Sequence, residues 1–234
     1  MADRAFAPPS IARDNLLREC SNGALFLTGN TVLDALLAHP PPVTAPSERD
    51  GILVTLGRQE TVDDPGRLRR ILSSLAVLAR HQRLEWPIHP RSRARMDAHH
   101  LEVPPGLLGT GPLGHEEFLE RLARCRVVIT DSGGVQEEAA ILGTACVVVR
   151  RHIERPETIE TGVGVLSGLE VDGVLEATRQ VLHHWARYAH PSPGLYGDGR
   201  AGERIAEACA LFLANPAAVV SGDGGGPGVW PRTD

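Results

Sequence analysis

The run Asp131-Ser-Gly-Gly-Val-Gln-Glu-Glu138 brings together the residue types that hold an anion on backbone alone. Val127, Val128 and Ile129 before it form the short apolar run of a parallel strand, and Ala139, Ala140, Ile141 and Leu142 after it continue as a helix. Asp131 or Ser132 can cap that helix. Gly133 and Gly134 place no Cβ between backbone and ligand, so unpaired N–H groups and the positive end of the helix dipole converge on one spot. A phosphate or diphosphate is favoured there. A capped turn that uses glycine only for tight packing fits the same residues, and local sequence leaves both open.

Other chemistry-bearing residues are less organised. His99-His100 and His183-His184 lack ligand spacing with any Cys or acidic partner, so no metal is expected, and no cofactor either. Ser132 is not in a G-x-S-x-G elbow and is no hydrolase nucleophile. Cys20, Cys125, Cys146 and Cys209 form no C-x-x-C pair; Cys125 and Cys146 border apolar strands and read as core filler in a reducing compartment. A net charge of −5 and a pI near 6.1 argue against a general nucleic-acid or anionic-membrane surface. Any anion site must therefore be local. No apolar run approaches the ~20 residues of a membrane span, and Met1-Ala-Asp-Arg4 lacks the layout of a secretory signal, which points to the cytoplasm.

These residues need a scaffold, and 234 residues that are 42% hydrophobic and 4% aromatic can bury an aliphatic core. Strands are predicted at 24–28, 52–56, 84–88, 107–109, 126–130, 145–149 and 163–166. Pro87 suits an edge strand or an early end. Helices are predicted at 6–18, 31–37, 64–79, 116–123, 134–142, 171–185 and 201–213; in the third, Leu68, Ile71, Leu72, Leu75 and Leu78 recur at helical spacing. The proline run at 39–47 can only be an extended surface connection. The stretch after Ile88 reads as irregular and basic, with Arg91, Arg93 and Arg95 a solvated face. Alternating strands and helices imply an α/β fold with a single Rossmann-like doubly wound parallel sheet. Residues 1–22 form a helical lead-in, 23–213 the domain itself, and 214–234, rich in Gly and Pro, a flexible tail. The helices at 6–18 and 201–213 carry apolar residues with nothing in the chain to cover them.

Asp131–Glu138, followed by Glu154-Arg-Pro-Glu157 and Tyr196-Gly-Asp-Gly199, and preceded by the 6–18 segment and Thr28-Gly-Asn-Thr-Val-Leu-Asp-Ala35, resembles the C-terminal half of the non-hydrolysing UDP-N-acetylglucosamine 2-epimerases. The similarity runs in order from about residue 6 to about residue 205. It implies the C-terminal domain of a two-Rossmann GT-B fold, with the substrate, a UDP-sugar, in the cleft between domains. It also implies interconversion of UDP-GlcNAc and UDP-ManNAc by elimination of UDP to a glycal and re-addition. Such a route needs a firm grip on departing UDP and carboxylates to move the C2 proton. Residues 1–22 would then pack on an N-terminal domain that the chain lacks, supplied by a separate polypeptide or within a homo-oligomer.

By this resemblance Ser132, Gly133 and Gly134 hold the diphosphate, Glu138 accepts from the ribose hydroxyls, backbone near Leu113 and Phe118 reads the uracil edge, and Arg155 lies near the phosphates. The plainer alternatives are a first-turn acid on the helix dipole for Glu138, core packing for Phe118, and for Arg155 a surface pair with Glu154 or Glu157. Tyr196-Gly-Asp-Gly199 reads as a tight turn before the last helix. Where the family has Thr-Gly-His-Arg-Arg-Glu, this chain has Thr55-Leu-Gly-Arg-Gln-Glu60, so Arg58 and Glu60 match but Gly57 stands at the active-site histidine. His89 matches a histidine that in some bacterial members belongs to a second, regulatory UDP-sugar site; a satisfied loop histidine fits it as well. No position matches the family's acid/base carboxylates, so no catalytic residue is assigned, and the chain alone is expected to bind without turnover. Two alternatives stand beside this: the donor-binding half of a split glycosyltransferase, and a non-catalytic UDP-sugar-binding remnant.

Overall fold

The computed structural model describes residues 4–8, 10–19 and 24–214; the tail expected from 214 onward otherwise lies outside them. In chain order the elements are β1 (Arg4–Ala7), α1 (Ser10–Glu19), β2 (Ala24–Leu27), α2 (Thr31–Ala38), β3 (Ile52–Thr55), α3 (Gln59–Val62), α4 (Pro65–Ala79), β4 (Leu84–Pro87), α5 (Pro90–Ala98) and β5 (Leu107–Thr110). They continue with α6 (His115–Arg124), β6 (Val127–Thr130), α7 (Gly133–Leu142), β7 (Ala145–Val148), α8 (Pro156–Glu160), β8 (Gly164–Leu166), α9 (Val171–His183), α10 (Trp185–Tyr188) and α11 (Ala201–Ala214).

The chain divides into two compact units, one of residues up to Pro40 together with those from Pro193, the other Pro41–Ser192. The cuts fall elsewhere than at the expected 22/23 and 213/214. In the first unit β1 and β2 pair in parallel, Arg4 with Ala24 through Ala7 with Leu27, and Phe6 stacks on Phe26 at 5.5 Å. The helix expected at 6–18 therefore begins later. Ala7 precedes Pro8, which disfavours helical backbone, so the segment enters as a strand. Asn30 caps α2 through Val32 N–H, and Asp34 on α2 in turn accepts from Ala201 and Gly202 N–H at the start of α11. Leu17, Leu37, Leu211 and Leu213 of this unit are exposed.

In the second unit six parallel strands take the order β5-β4-β3-β6-β7-β8. The first strand of the unit lies at the centre and the chain winds outward first one way, then the other, as a doubly wound Rossmann-like sheet does. Period-2 alternation sorts the strand residues onto two faces. Ile52, Val54, Val127, Ile129, Ala145 and Val147 join one cluster with Leu68, Ile71 and Leu75 of α4 and Val174 and Val181 of α9. Leu53, Val128, Cys146 and Val148 are equally buried but belong to the other face, which α7 covers. Both faces being covered explains continuous apolar strands with no polar alternation. Pro87 realises the early end, not the edge: β4 is an inner strand that stops there.

The basic stretch after Ile88 is not irregular. His89 caps α5 through Arg91 N–H at 3.1 Å and Pro90 occupies its first position, so the proline starts a helix where a break was expected. Ser92 and Met96 bury one face of α5, while Arg91, Arg93 and Arg95 are exposed as expected.

Candidate functional site

The carboxyl ends of β3 and β6 meet where the winding of the sheet reverses, which is where open α/β sheets form a ligand crevice. After Thr130 the chain turns into α7. Ser132 is the cap, accepting from Val135 N–H, and Gly133 and Gly134 are the first two helical residues. No partner for the Gly133 or Gly134 N–H is found among the described residues, and a side chain added at Gly134 would meet nothing within 4 Å. The corner thus offers two unpaired backbone donors at a helix start, with Gly134 exposed and Gly133 buried. The far end of α7 is pinned: Gly143 closes it in the left-handed region at φ 67°, and Arg49 donates to the carbonyls of Gly143 and Leu142 at 2.6 and 2.8 Å.

Of the two candidate caps, Ser132 serves α7 and Asp131 serves its neighbour. Asp131 is buried, and its carboxylate accepts from Gly57 N–H at 3.0 Å and Arg58 N–H at 2.9 Å. The loop after β3 is therefore fastened to the loop after β6. Arg58, held this way, reaches Glu154 at 3.2 Å, and its Nη2 would lie 3.7 Å from a Cβ at Gly133.

Arg150, two residues beyond β7, was not singled out from sequence. It is only 7% exposed, and it pairs with Glu60 at 3.0 Å and Glu154 at 2.7 Å. Its remaining nitrogen, Nη1, is buried with no hydrogen-bond partner among the described residues. The Glu154 carboxylate between these cations is held below the usual carboxylate range, chiefly by its hydrogen bond from Arg150. A polar cavity of about 480 Å³ is lined by Gly57, Arg58, Gln59, Glu60, His89, Arg91 and Arg150. A second cavity, about 430 Å³, opens at the opposite ends of the strands beside Gly51, Arg83 and Cys125 and shares none of these residues.

Arg155 pairs closely through Nε with Glu137 of α7, and its Nη1 donates to the Glu154 carbonyl, so of the plainer alternatives neither the Glu154 nor the Glu157 carboxylate is its hydrogen-bond partner. Pro156 then starts α8, as its ring predisposes it to. Glu138 lies in the second turn of α7, beyond the first turn where the dipole alone would account for it. It is 8% exposed and bonds His115 Nε2 at 2.8 Å. Burial pushes its carboxyl above the ordinary range, with His115 pulling partly back. Phe118, in the first turn of α6, is half-buried, whereas Leu119 and Leu122 on the same helix are buried. Leu113 precedes α6, also half-buried.

Tyr196-Gly-Asp-Gly199 lies in the first unit and behaves as a structural turn: Tyr196 O accepts from Asn30 N–H, and Asp198 pairs with Arg204 at 2.6 Å. Cys125 and Cys146 are buried free thiols. Among the described residues no helix is long and apolar enough to cross a membrane, and no three His, Cys, Asp or Glu side chains cluster for a metal.

The family model described as UDP-N-acetylglucosamine 2-epimerase matches residues 1–210. The UDP-N-acetylglucosamine 2-epimerase of Methanocaldococcus jannaschii is 33% identical over 219 residues, 86% of this chain and 58% of that protein. The UDP-2,3-diacetamido-2,3-dideoxy-D-glucuronate 2-epimerase of Pseudomonas aeruginosa is 34% identical over 215 residues, covering 88% and 59%. The crystal structure of the M. jannaschii enzyme in complex with UDP-GlcNAc and UDP superposes with a TM-score of 0.75 at 31% identity, over 88% of this chain and 60% of that one. The chain thus spans about three-fifths of the length of these relatives.

Proposed function

Since the chain belongs to the UDP-N-acetylglucosamine 2-epimerase family, we propose that its Rossmann-like unit binds the UDP part of a UDP-sugar at the start of α7. The observation that carries this is the pair of unpaired N–H groups at Gly133 and Gly134, with Arg58 beside Gly133 and the buried Arg150 linked to it through Glu154. A diphosphate seated there meets helix dipole, amides and guanidiniums together. Glu138 takes the ribose hydroxyls, with His115 fixing the carboxylate, and Leu113 and Phe118 take the uracil from the mouth of α6. The relative solved with UDP-GlcNAc and UDP supports the choice of ligand.

For an epimerisation that expels UDP, these groups would stabilise the charge that develops on the leaving diphosphate. They do not move the sugar's C2 proton. Gly57 offers no imidazole, and the family's acid/base carboxylates match no residue here. These residues by themselves therefore bind without turning over, and a complementary domain that supplies the acid/base groups completes an isomerase. The two-stranded β1–β2 sheet supports this, because so small a parallel sheet is stable only as part of a larger one. The exposed Leu17, Leu211 and Leu213 offer apolar surface for that domain. Buried free Cys125 and Cys146 suit a reducing, cytoplasmic setting.

Calorimetric titration with UDP, UDP-N-acetylglucosamine and ATP tests the assignment. Weak binding of both uridine compounds and none of ATP is expected. Indifference to all three would leave the fold without the ligand.

A further inference from the structure

Glu154 occupies an unusual place for an ionised side chain. Its Oε1 lies 2.7 Å from Arg150 Nη2 and its Oε2 lies 3.2 Å from Arg58 Nη2. The same Oε2 would sit 3.8 Å from a Cβ at Gly133, and Arg58 Nη2 3.7 Å from that point, so the carboxylate and the guanidinium lie together beside the first residue of α7. One negative group between two guanidiniums at a helix start holds the electrostatic position that a phosphate would take. We propose that Glu154 is a resident anion that fills the diphosphate seat when no ligand is bound and must swing out when one arrives. This rests on the assignment of the α7 start as that seat.

Three features make the carboxylate, and not Arg150, the movable member. Its side chain is 46% exposed, whereas that of Arg150 is 8% exposed. Arg150 keeps Glu60 at 3.0 Å when Glu154 leaves, and the Arg58 guanidinium, 41% exposed, passes to water and the arriving ligand. Residues 149–155 form no helix or strand, and Glu154 sits in this connection between β7 and α8. Arg150 Nη1, buried and without a hydrogen-bond partner among the described residues, is a donor that Glu154 does not use.

The consequence is selection by charge. A ligand must outcompete one resident carboxylate for two guanidiniums, which a diphosphate does readily and a monoanion does poorly. Replacing Glu154 by a neutral isostere should then strengthen anion binding. A glutamate that merely clamped the arginines in place would give the opposite result.

The test is calorimetry on wild type and Glu154→Gln, with UDP and with inorganic pyrophosphate, and Glu154→Ala as a second variant. Both ligands should bind the variants roughly fivefold more tightly, the effect of removing one like charge at a part-exposed site. Unchanged or weaker binding of UDP and pyrophosphate by both variants overturns the proposal while leaving UDP recognition intact. Pyrophosphate binding that tightens in the variants, with UDP binding to none of the proteins, supports the resident anion and removes the UDP assignment. Binding of neither ligand to any of them overturns both.

Discussion

The imidazole of His89 lies on the side of Gly57 that would carry a side chain: a Cβ added at 57 would come 2.9 Å from Cγ of His89 and 3.2 Å from its Cβ. These are atoms near the backbone, which cannot move aside cheaply. His89 also spends its Nδ1 lone pair on the Arg91 N–H that caps α5. Putting histidine back at position 57 is therefore expected to cost about 1–3 kcal/mol, from overpacking and from displacing that cap. Clearing the neighbour with His89→Ala should recover most of the loss, so that the two substitutions are strongly non-additive. Urea denaturation of the four proteins of this cycle measures it. Simple additivity would mean that the two residues do not meet.

Gly134 separates stability from binding. The position is helical, with nothing within 4 Å of an added Cβ and no left-handed backbone to strain. Gly134→Ala should stabilise the protein by about 0.4–1 kcal/mol through lost freedom of the unfolded chain. The same methyl group would stand over the open amides, so UDP affinity should fall roughly tenfold or more. Gly134→Asp should abolish binding altogether. A thermal melt that rises while calorimetric affinity drops is the expected signature; unchanged affinity would place the ligand elsewhere.

The sequence disclosed the parts of this fold whose signals are local. Six apolar runs became the six strands of the main sheet because covered faces leave no polar alternation to confuse them, and the double-glycine corner after Ile129 became the α7 start. What stayed hidden depended on distant pairings. Asp131 and Ser132 were equal candidates for one cap, and only the approach of the β3 loop, 74 residues earlier in the chain, gives Asp131 its own task. Arg150 had a usable signal, since it follows a buried strand at its carboxyl end, where crevice residues gather. His115 had none, because its partner is 23 residues away on another helix. Pro90 misled because proline breaks a helix interior but starts one well, and His89 before it supplies the cap.

Glu138 gives the site a pH dependence whose sign is fixed by its burial. Desolvation raises its carboxyl most, the neighbouring charge of Glu137 adds a little, and the His115 bond opposes both. An acid whose folded-state pKa lies above its unfolded value stabilises the fold fully below the unfolded value, about 4.3, and loses that contribution as pH rises through the folded one. Glu138→Gln removes the cost of the buried charge. The variant should therefore melt at higher temperature than wild type at pH 7, with the gap closing as pH falls toward about 4. Glu154, whose carboxyl is shifted the other way, is common to both proteins, so it cancels in the difference. Over the same range glutamine offers the ribose a single neutral acceptor oxygen, and UDP affinity should drop about fivefold to tenfold. Uracil-containing diphosphates that lack both ribose hydroxyls should bind the two proteins equally. A melting gap that ignores pH would show that burial of the charge is not what shifts the group, and equal UDP affinity would detach Glu138 from the ribose.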